Sequence, residues 1–368
     1  MTAPAQTAPA GVGHAQRERL GYRPGLDGLR AFAIASVMAG HTSSRLFPGS
    51  FIGVDVFFVL SGFLITTLLL EERERRGRVS LKRFYARRAL RLLPALGAFL
   101  VAATIWILVT SPTPLRTASI HGLPAVIFYS SNWVWGLLHV DLGIFGHTWS
   151  LSLEEQFYVL WPAALLVLLA WKRGSTKTAF WICVGAILFA AAVRWRVADL
   201  NFTEPGVRRL LNLRFDVPLV GCALALAAWN GWCARIPRWV ASVATAASLA
   251  ALVFFCFFTK DTLLDTRFYH GGFTLVALAA AVLIIRVVHV PSRPLLAVLS
   301  LPPIVWMGRI SYALYLWHSP IRDVLNGPNG TSSGHALIVI PLAFLAATLS
   351  YFLIERPALR LKDRIASG

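Results

Sequence analysis

The stretch HTWSLSLEEQFYVLWPAALLVLLAW, residues 147–171, places two adjacent carboxylates at the start of a long apolar run. An apolar run of about 20 residues is long enough to cross the hydrocarbon core of a bilayer as one helix. An ionised carboxylate is costly inside that core, and acidic residues found there commonly serve a function. The stretch therefore predicts a transmembrane helix that carries an acidic pair, Glu154 and Glu155, at one lip of the membrane.

Similar apolar runs recur along the chain from residue 31 to residue 354. The 368 residues are 57% hydrophobic and only 14% charged, whereas soluble domains carry about a quarter charged residues. The short alternating segments of an outer-membrane barrel are not evident. The sequence therefore predicts an all-α polytopic integral membrane protein with about ten transmembrane helices. The predicted spans are residues 29–47, 51–70, 92–110, 148–171, 178–193, 214–229, 238–258, 272–288, 303–320 and 335–354.

The distribution of charge predicts the orientation of these helices. The net charge is +18, and cytoplasmic loops of membrane proteins are enriched in Lys and Arg, so no nucleic-acid partner is expected. Ten spans with both termini cytoplasmic place more Lys and Arg inside than eleven spans do, although the basic 194–213 loop then lies outside. The eleventh candidate is residues 121–138, and the sequence leaves open whether it crosses or re-enters. We expect a multi-pass protein of a bacterial cytoplasmic membrane.

The ends of the chain and the cysteines complete this outline. Residues 1–22 lack the hydrophobic region of a signal peptide and are predicted to form a disordered cytoplasmic tail. A membrane domain is predicted over residues 23–358, followed by a basic cytoplasmic tail at residues 359–368. The four cysteines lie in or beside apolar runs without CxxC spacing, so neither a disulfide framework nor a metal site is predicted.

Arg30 and His41 bracket the first predicted span and share one face of it if it is helical. Eleven residues at about 100° each return to within about 20° of the starting direction and rise about 16 Å. Ionisable groups inside a membrane are functional candidates by default. The alternatives are an interfacial anchor for Arg30 and a hydrogen-bonded structural role for His41.

A basic run follows the second predicted span, and most of it is expected to face water or lipid headgroups. Arg88 and Arg91 differ because they stand three residues apart, on one helical face, just before the third apolar run. Two guanidinium groups placed in this way could bind a phosphate-bearing ligand from the cytoplasm. Plain membrane anchoring is the alternative for both residues.

Helical spacing separates the two carboxylates of the opening stretch. Residues three or four apart share a helical face, and one such stripe contains His147, Ser150, Glu154, Tyr158 and Trp161. Glu155 points about 100° away from that stripe and is expected to pair with a neighbouring helix or to reach interfacial water. A purely structural ion pair is the alternative for each carboxylate.

Two further polar positions lie inside predicted spans. The small pair Ser61-Gly62, in FFVLSGFLIT, permits two helices to approach closely. A nucleophilic role of Ser61 is the alternative, but the sequence around it is not the G-x-S-x-G motif of a nucleophile elbow. His318, in GRISYALYLWHSP, is predicted at the far end of the ninth span, on the same membrane side as His41 and Glu154. An interfacial Trp-His belt is the alternative for His318.

In combination these motifs resemble the acyltransferase 3 family of membrane O-acyltransferases. The resemblance runs from about residue 22 to residue 360 and rests on R-x10-H at Arg30–His41, FFVLSGFLIT, RFYARRALRLLP, HTWSLSLEEQFYVLWP, GRISYALYLWHSP and the terminal ERP. It implies a ten-helix domain that transfers acyl groups, often acetyl, from acyl-CoA to hydroxyl groups. The implied acceptors are envelope glycans or antibiotic sugars of the macrolide type. No appended esterase-like relay domain is expected, because the chain stops at Gly368.

The resemblance also implies roles for individual residues. His41 and Glu154 are the expected catalytic residues, and the expected ligands of the CoA phosphates are Arg30, Arg88 and Arg91. The remaining substrate-site candidates are His147, Tyr158, Ser61, His318 and Glu155. We expect His41 to act as general base on the acceptor hydroxyl. Glu154 would orient His41 or take the proton itself, and an acyl-His41 intermediate is the rival chemistry.

Other functions and partners remain open at this point. A transporter or flippase of a lipid-linked or small solute could use the same buried Arg, His and Glu as its pathway, although no inverted repeat is evident. A catalytically inactive scaffold that binds acyl-CoA is a third hypothesis. No permanently bound cofactor is expected, acyl-CoA is the expected donor, and the sequence leaves open a homo-oligomer, the acceptor and the acyl chain length.

Overall fold

Helices make up nearly all of the described chain, and no strand occurs within it. The computed structural model describes residues 19–110, 112–171, 175–201, 214–259, 265–326 and 336–367. The α-helices in chain order are α1 (Pro24–Thr42), α2 (Ile52–Arg76), α3 (Leu81–Thr110), α4 (Thr113–Ile127), α5 (Ser131–Leu137), α6 (Trp149–Ala170), α7 (Thr176–Asn201), α8 (Asp216–Trp229), α9 (Arg238–Phe258), α10 (Phe273–Val288), α11 (Arg293–Leu299), α12 (Pro302–Arg309), α13 (Ser311–Asn326), α14 (Ala336–Ser350) and α15 (Arg356–Ser367). Short 3₁₀ turns cover Gly143–Thr148 and Cys233–Arg235, and π-helical turns cover Phe268–Gly272 and Tyr351–Glu355. The predicted all-α fold class is confirmed.

Seven segments of the described residues are long and apolar enough to cross a membrane. They are Ile52–Arg76, Leu81–Thr110, Gly143–Ala170, Thr176–Leu200, Arg238–Phe258, Phe268–Val288 and Leu337–Leu361. The chain is therefore a multi-pass helical membrane protein, as the sequence predicts. Helix α8 is apolar but has 14 residues, which at 1.5 Å each rise about 21 Å against a hydrocarbon core of about 30 Å. The count of about ten spans and the cytoplasmic placement of both ends stay predictions.

Three of the predicted segments differ from single long apolar helices. Helix α1, which covers the first span, contains three ionisable side chains that lower its apolar character. The ninth span, residues 303–320, is divided at Ile310 into α12 and α13. Residues 121–138 form parts of the short helices α4 and α5, which are separated at Tyr129, a residue with a φ of 50°. Neither short helix is long enough to cross a bilayer by itself.

Helix α2 lies at the centre of the fold, in contact with α1, α6, α8 and α10. Glycines let α8 approach it closely. An added Cβ at Gly62 would stand 2.0 Å from the carbonyl oxygen of Pro218, and one at Gly221 would stand 2.0 Å from that of Val59. Small residues allow such backbone approach between membrane helices. The close helix approach predicted at Ser61-Gly62 is confirmed, and this packing fixes the position of α2.

Helix α1 packs between α2 and α12. An added Cβ at Gly53 of α2 would stand 2.2 Å from the carbonyl oxygen of Ala33, and one at Gly308 of α12 would stand 1.9 Å from that of Asp27. These two contacts leave no room for a side chain on either neighbour. They fix the height of α1 and therefore the height of the ionisable groups that it carries.

Two buried ion pairs join α2, α7 and α8. Nη1 of Arg214 lies 2.9 and 2.7 Å from the two carboxylate oxygens of Asp55. Arg194 donates to both carboxylate oxygens of Asp216 at 2.6 and 2.8 Å. The side chains are at most 5% exposed. These two arginines lie on the predicted outer side, where Lys and Arg are disfavoured, and the protein neutralises their charge internally.

Candidate active site

A cavity of about 520 Å³ lies between α1, α2, α3, α6 and α13. Its lining begins at Leu20–Arg23, which precede α1 on the predicted cytoplasmic side, and reaches Ser150 and Tyr315 at its inner end. Six of the ten predicted site residues line it, namely Arg30, Ser61, Arg88, Arg91, Glu154 and Tyr158. Apolar side chains of α1 and α2 supply much of the remaining wall.

Three arginines of this cavity differ in how they are paired. Nη1 of Arg30 donates to Oδ1 of Asp27 at 3.2 Å, and Nη2 of Arg88 donates to Oε1 of Glu155 at 3.3 Å. Arg91 lines the cavity and makes no hydrogen bond or ion pair within the described residues. The guanidinium group of Arg91 therefore faces the cavity without an ion pair or hydrogen bond to a described carboxylate.

The contacts of Arg88 hold its guanidinium plane in place. Its Cζ lies 3.1 Å from the centroid of the Tyr158 ring, in a cation–π arrangement. The ion pair with Glu155 fixes the same group from a second direction. The prediction that Glu155 pairs with a neighbouring helix is confirmed, because Arg88 belongs to α3 and Glu155 to α6.

Glu154 is held by two hydroxyl groups. Ser61 on α2 and Tyr158, one turn further along α6, both donate hydrogen bonds to its Oε1. The helical face that the sequence predicts for Glu154 and Tyr158 is confirmed by the second of these bonds. Together the two donors orient the carboxylate within the cavity wall.

Three of the predicted site residues lie together outside the cavity lining, and we call His41, His147 and His318 the histidine cluster. Nδ1 of His41 and Nε2 of His318 are 2.7 Å apart, and the two ring planes are inclined by only 15° with centroids 4.9 Å apart, so the rings meet end to end. The ring of His147 lies edge-on to that of His318, with centroids 5.8 Å apart. Among the described residues, no group of three or more His, Cys, Asp or Glu side chains is arranged to hold a metal ion.

Tyr315 contacts both the cavity and the histidine cluster. It lines the cavity, and its ring centroid lies 5.5 Å from that of His147 and 5.7 Å from that of His318. Its hydroxyl donates to the backbone carbonyl of His147 at 2.5 Å. Because that hydroxyl has a single proton, the hydroxyl of Ser150, 2.6 Å away, must be the donor to Tyr315. Tyr315 therefore links the inner end of the cavity to the histidine cluster.

Comparison with known proteins assigns this arrangement to a family. The family profile described as an acyltransferase domain matches residues 23–356, which include all ten predicted site residues. The chain belongs to the acyltransferase 3 family. The resemblance carried by the sequence motifs is thereby confirmed.

Three relatives of this acyltransferase match along nearly its whole length. Peptidoglycan O-acetyltransferase OatA of Listeria monocytogenes is 36% identical over 354 residues, which cover 91% of this chain and 56% of the relative. Putative peptidoglycan O-acetyltransferase YrhL of Bacillus subtilis is 34% identical over 359 residues, covering 91% and 55%. A putative O-acetyltransferase of Staphylococcus aureus is 33% identical over 363 residues, covering 94% and 58%. The chain thus spans little more than half the length of these curated relatives. No solved structure matches it.

The two expected catalytic residues of the acyltransferase make no hydrogen bond or ion pair with each other. The hydrogen-bond partners of the Glu154 carboxylate are Ser61 and Tyr158, whereas the ring of His41 contacts His318. The structure therefore shows no hydrogen bond through which Glu154 would orient His41, whereas charge stabilisation of His41 and proton transfer by Glu154 stay predictions. Glu154 lines the cavity and His41 does not, and Tyr315 contacts both the cavity and the histidine cluster.

Three polar residues of the acyltransferase cavity, Arg23, Asp27 and Tyr315, are not among the predicted site residues. Asp27 pairs with Arg30, and its place three residues earlier in GLDGLR was a usable signal for that pairing. Tyr315 precedes His318 by three residues in GRISYALYLWHSP, and residues at this spacing share a helical face. Nothing in its sequence surroundings distinguishes Arg23 from an interfacial anchor.

Proposed function

We propose that this acyltransferase transfers an acetyl group from acetyl-CoA to a hydroxyl group of a cell-envelope glycan, and that the glycan is peptidoglycan. The acetyl group and the acceptor are suggested by the relatives, among them a peptidoglycan O-acetyltransferase and a putative one. The CoA donor is suggested by the family resemblance and by the charge of the cavity.

The proposal of CoA as the donor rests mainly on the guanidinium group of Arg91. Phosphate groups of CoA are bound well by Arg, through charge-assisted and often bidentate hydrogen bonds. Arg91 has no carboxylate partner among the described residues and faces open space in the cavity. Arg23 lines the same cavity nearer its predicted cytoplasmic end, and its Nε donates only to the carbonyl of Leu20, at 3.0 Å. Arg30 and Arg88 add further positive charge, so an anionic ligand is favoured here.

The rest of the cavity suits the neutral arm of CoA. Apolar side chains such as Leu26, Phe57 and Ile65 can contact its methylene groups. Glu154 offers carboxylate oxygens to the amide N–H groups of that arm. With the phosphates at the arginines, the thioester lies toward the inner end, at Tyr315. In this proposal Glu154 binds the donor and does not act on His41.

The chemical step in this proposal takes place at the histidine cluster. His41 removes the proton of the acceptor hydroxyl, whose oxygen attacks the thioester carbonyl carbon. The carbon–sulfur bond breaks, and the CoA thiolate takes up the proton from the imidazolium. An acyl group carried on His41 is the rival step, and a labelled covalent intermediate trapped without acceptor would favour it.

A direct assay tests the proposal. The purified chain in lipid nanodiscs receives acetyl-CoA labelled in the acetyl group, together with soluble muropeptides. Free CoA thiol and labelled muropeptide are both measured, and the proposal expects them to appear in equal amounts and to be lost in His41→Gln. Thiol release without labelled muropeptide would reject peptidoglycan as acceptor. Absence of thiol release would reject the donor, and solute uptake into proteoliposomes without acetyl-CoA consumption would point to a transporter.

A further inference from the structure

The ring of His318 has a proton on a known nitrogen. Its Nδ1 lies 2.9 Å from the backbone carbonyl oxygen of Leu314, one turn earlier in α13. A carbonyl oxygen only accepts hydrogen bonds, so Nδ1 must carry the proton that makes this contact. The backbone of α13 therefore selects one protonation pattern of His318.

The second nitrogen of His318 is bare. His318 is 2% exposed, and no carboxylate pairs with it among the described residues, so a second proton would leave a buried cation without a counter-ion. Arg322 adds a positive charge nearby, since its Nη1 donates to the backbone carbonyl of His41 at 3.3 Å. Nε2 of His318 is therefore the acceptor in its 2.7 Å contact with His41.

It follows that Nδ1 of His41 is the donor in this contact, and that a neutral His41 has its lone pair at Nε2. Nε2 of His41 makes no hydrogen bond within the described part of the chain. In the opposite tautomer, Nε2 would present a proton to an approaching hydroxyl and could not act as a base. His318 thus donates from Nδ1 to the carbonyl of Leu314, and His41 donates from Nδ1 to Nε2 of His318.

We propose that His318 is a positioning residue that fixes the tautomer of His41 and thereby makes Nε2 the basic atom of the acyltransferase. The inference rests on the proposed role of His41 as general base. His318 itself does not touch the reacting atoms. It holds the His41 ring by a hydrogen bond at one nitrogen, with the two ring planes inclined by 15°, and the acceptor hydroxyl gives its proton to the other nitrogen.

Nuclear magnetic resonance of the full chain, with ¹⁵N-labelled histidine in nanodiscs, reads the tautomer without turnover. Protonated and bare ring nitrogens have well-separated ¹⁵N shifts, and the signals missing from His41→Gln assign His41. We expect a protonated Nδ1 and a bare Nε2 in the wild type, and a mixture of tautomers in His318→Ala. A protonated Nε2 in the neutral wild-type ring would overturn the proposal.

Kinetics in the muropeptide assay provide the second measurement. We expect His318→Ala to lower kcat about 100-fold, with the KM for acetyl-CoA within about twofold. His318→Gln should recover much of this loss, because its amide oxygen can accept the proton of His41 Nδ1 in place of the bare Nε2. The matched control is His121→Ala, an exposed histidine of α4. Equal kcat values for His318→Ala and His121→Ala would overturn the positioning role.

The two measurements also separate this inference from the proposed function. A wild-type protein that shows the expected tautomer but releases no CoA thiol would reject the donor while supporting the hydrogen-bond order. Folding of each variant is checked by its elution as a single species and by its thermal unfolding midpoint. If His318→Ala folds poorly, His318→Gln serves as the test. In that variant the proposal requires that His41 keeps its proton on Nδ1.

Discussion

Tyr315 lines the cavity and donates a hydrogen bond of 2.5 Å to the backbone carbonyl of His147, a member of the histidine cluster. Ser150 donates to the same tyrosine hydroxyl at 2.6 Å and braces it from α6. In the proposed reaction, a donor held by the arginines would have to pass Tyr315 to reach the histidine cluster. We therefore expect Tyr315 to influence the passage of the acyl group.

Enlarging Tyr315 should block this passage. Tyr315→Trp is expected to slow acetyl transfer at least about 10-fold, because a misplaced or obstructed reacting group loses its productive geometry. Binding of acetyl-CoA should change less than about twofold, since no arginine is altered. Tyr315→Phe is the matched control: it keeps the ring and loses two hydrogen bonds worth about 1 kcal/mol each, so transfer persists with a slightly lower Tm. Turnover of Tyr315→Trp at the wild-type rate would contradict a passage here.

Removing the charge of Arg91 should weaken donor binding. A hydrogen bond to a charged group is worth about 1.5–3 kcal/mol, so Arg91→Gln is expected to raise the Kd of acetyl-CoA roughly 10- to 100-fold. Radioligand filtration on nanodiscs measures this Kd. Arg238→Gln is the control, because Arg238 is an exposed arginine at the start of α9. Acetyl-pantetheine lacks the phosphates, and an equal loss of affinity for it would show that Arg91 binds some other part of the donor.

Ser61 and Glu154 are expected to differ in the size and kind of their effects. Ser61→Ala removes one donor to Glu154, which costs about 1 kcal/mol, or roughly fivefold in kcat/KM. Glu154→Leu removes the carboxylate and should raise the KM for acetyl-CoA about 10-fold, with kcat within about threefold. Steady-state kinetics separate the outcomes. Complete loss of activity in Ser61→Ala would identify Ser61 as a nucleophile, and a selective fall in kcat for Glu154→Leu would return Glu154 to proton transfer.

The buried ion pair between Asp55 and Arg214 should matter for stability. Asp55→Asn leaves the guanidinium group without its counter-charge in a site that is 1% exposed, and is expected to cost about 3–5 kcal/mol. Thermal unfolding in detergent, followed by tryptophan fluorescence, measures the shift. Asp199→Asn is the comparison, because Asp199 pairs with His270 but is 42% exposed, and its loss should cost less than about 1 kcal/mol. Equal shifts for the two variants would contradict a structural role of burial.

The sequence predicts what lies along one helix better than what lies between helices. Helical spacing predicts the shared face of Glu154 and Tyr158 and the turn of Glu155 toward a neighbouring helix, and both agree with the contacts of the structure. The spacing of residues along a helix does not predict how far that helix is shifted along its neighbour. This shift is set by close contacts between helices, such as those of Gly53 and Gly308. For that reason the separation of Glu154 from His41 could not be predicted.

The positive-inside rule counts Lys and Arg in loops, and it does not apply to arginines that are buried in ion pairs. Arg194 and Arg214 count against the predicted orientation as long as they are treated as loop residues, yet both are buried in ion pairs with acidic partners. Those partners are distant in the sequence or on another helix, so no local pattern indicates the pairing. The same holds for Tyr315, whose importance depends on two neighbours from another part of the chain.

The pairing of Asp55 with Arg214 also has a consequence for how the protein is made. The two residues are 159 positions apart, so Asp55 enters the membrane with α2 long before the ribosome reaches its partner. Asp55 lies in the first turn of α2, so its cost on insertion is below the value of about 2.5–3.5 kcal/mol that the translocon scale gives an acidic residue at a helix centre. Until Arg214 has been synthesised, the carboxylate of Asp55 lacks the partner that it has in the folded protein. A nascent chain arrested before residue 214 therefore contains α2 without this counter-charge.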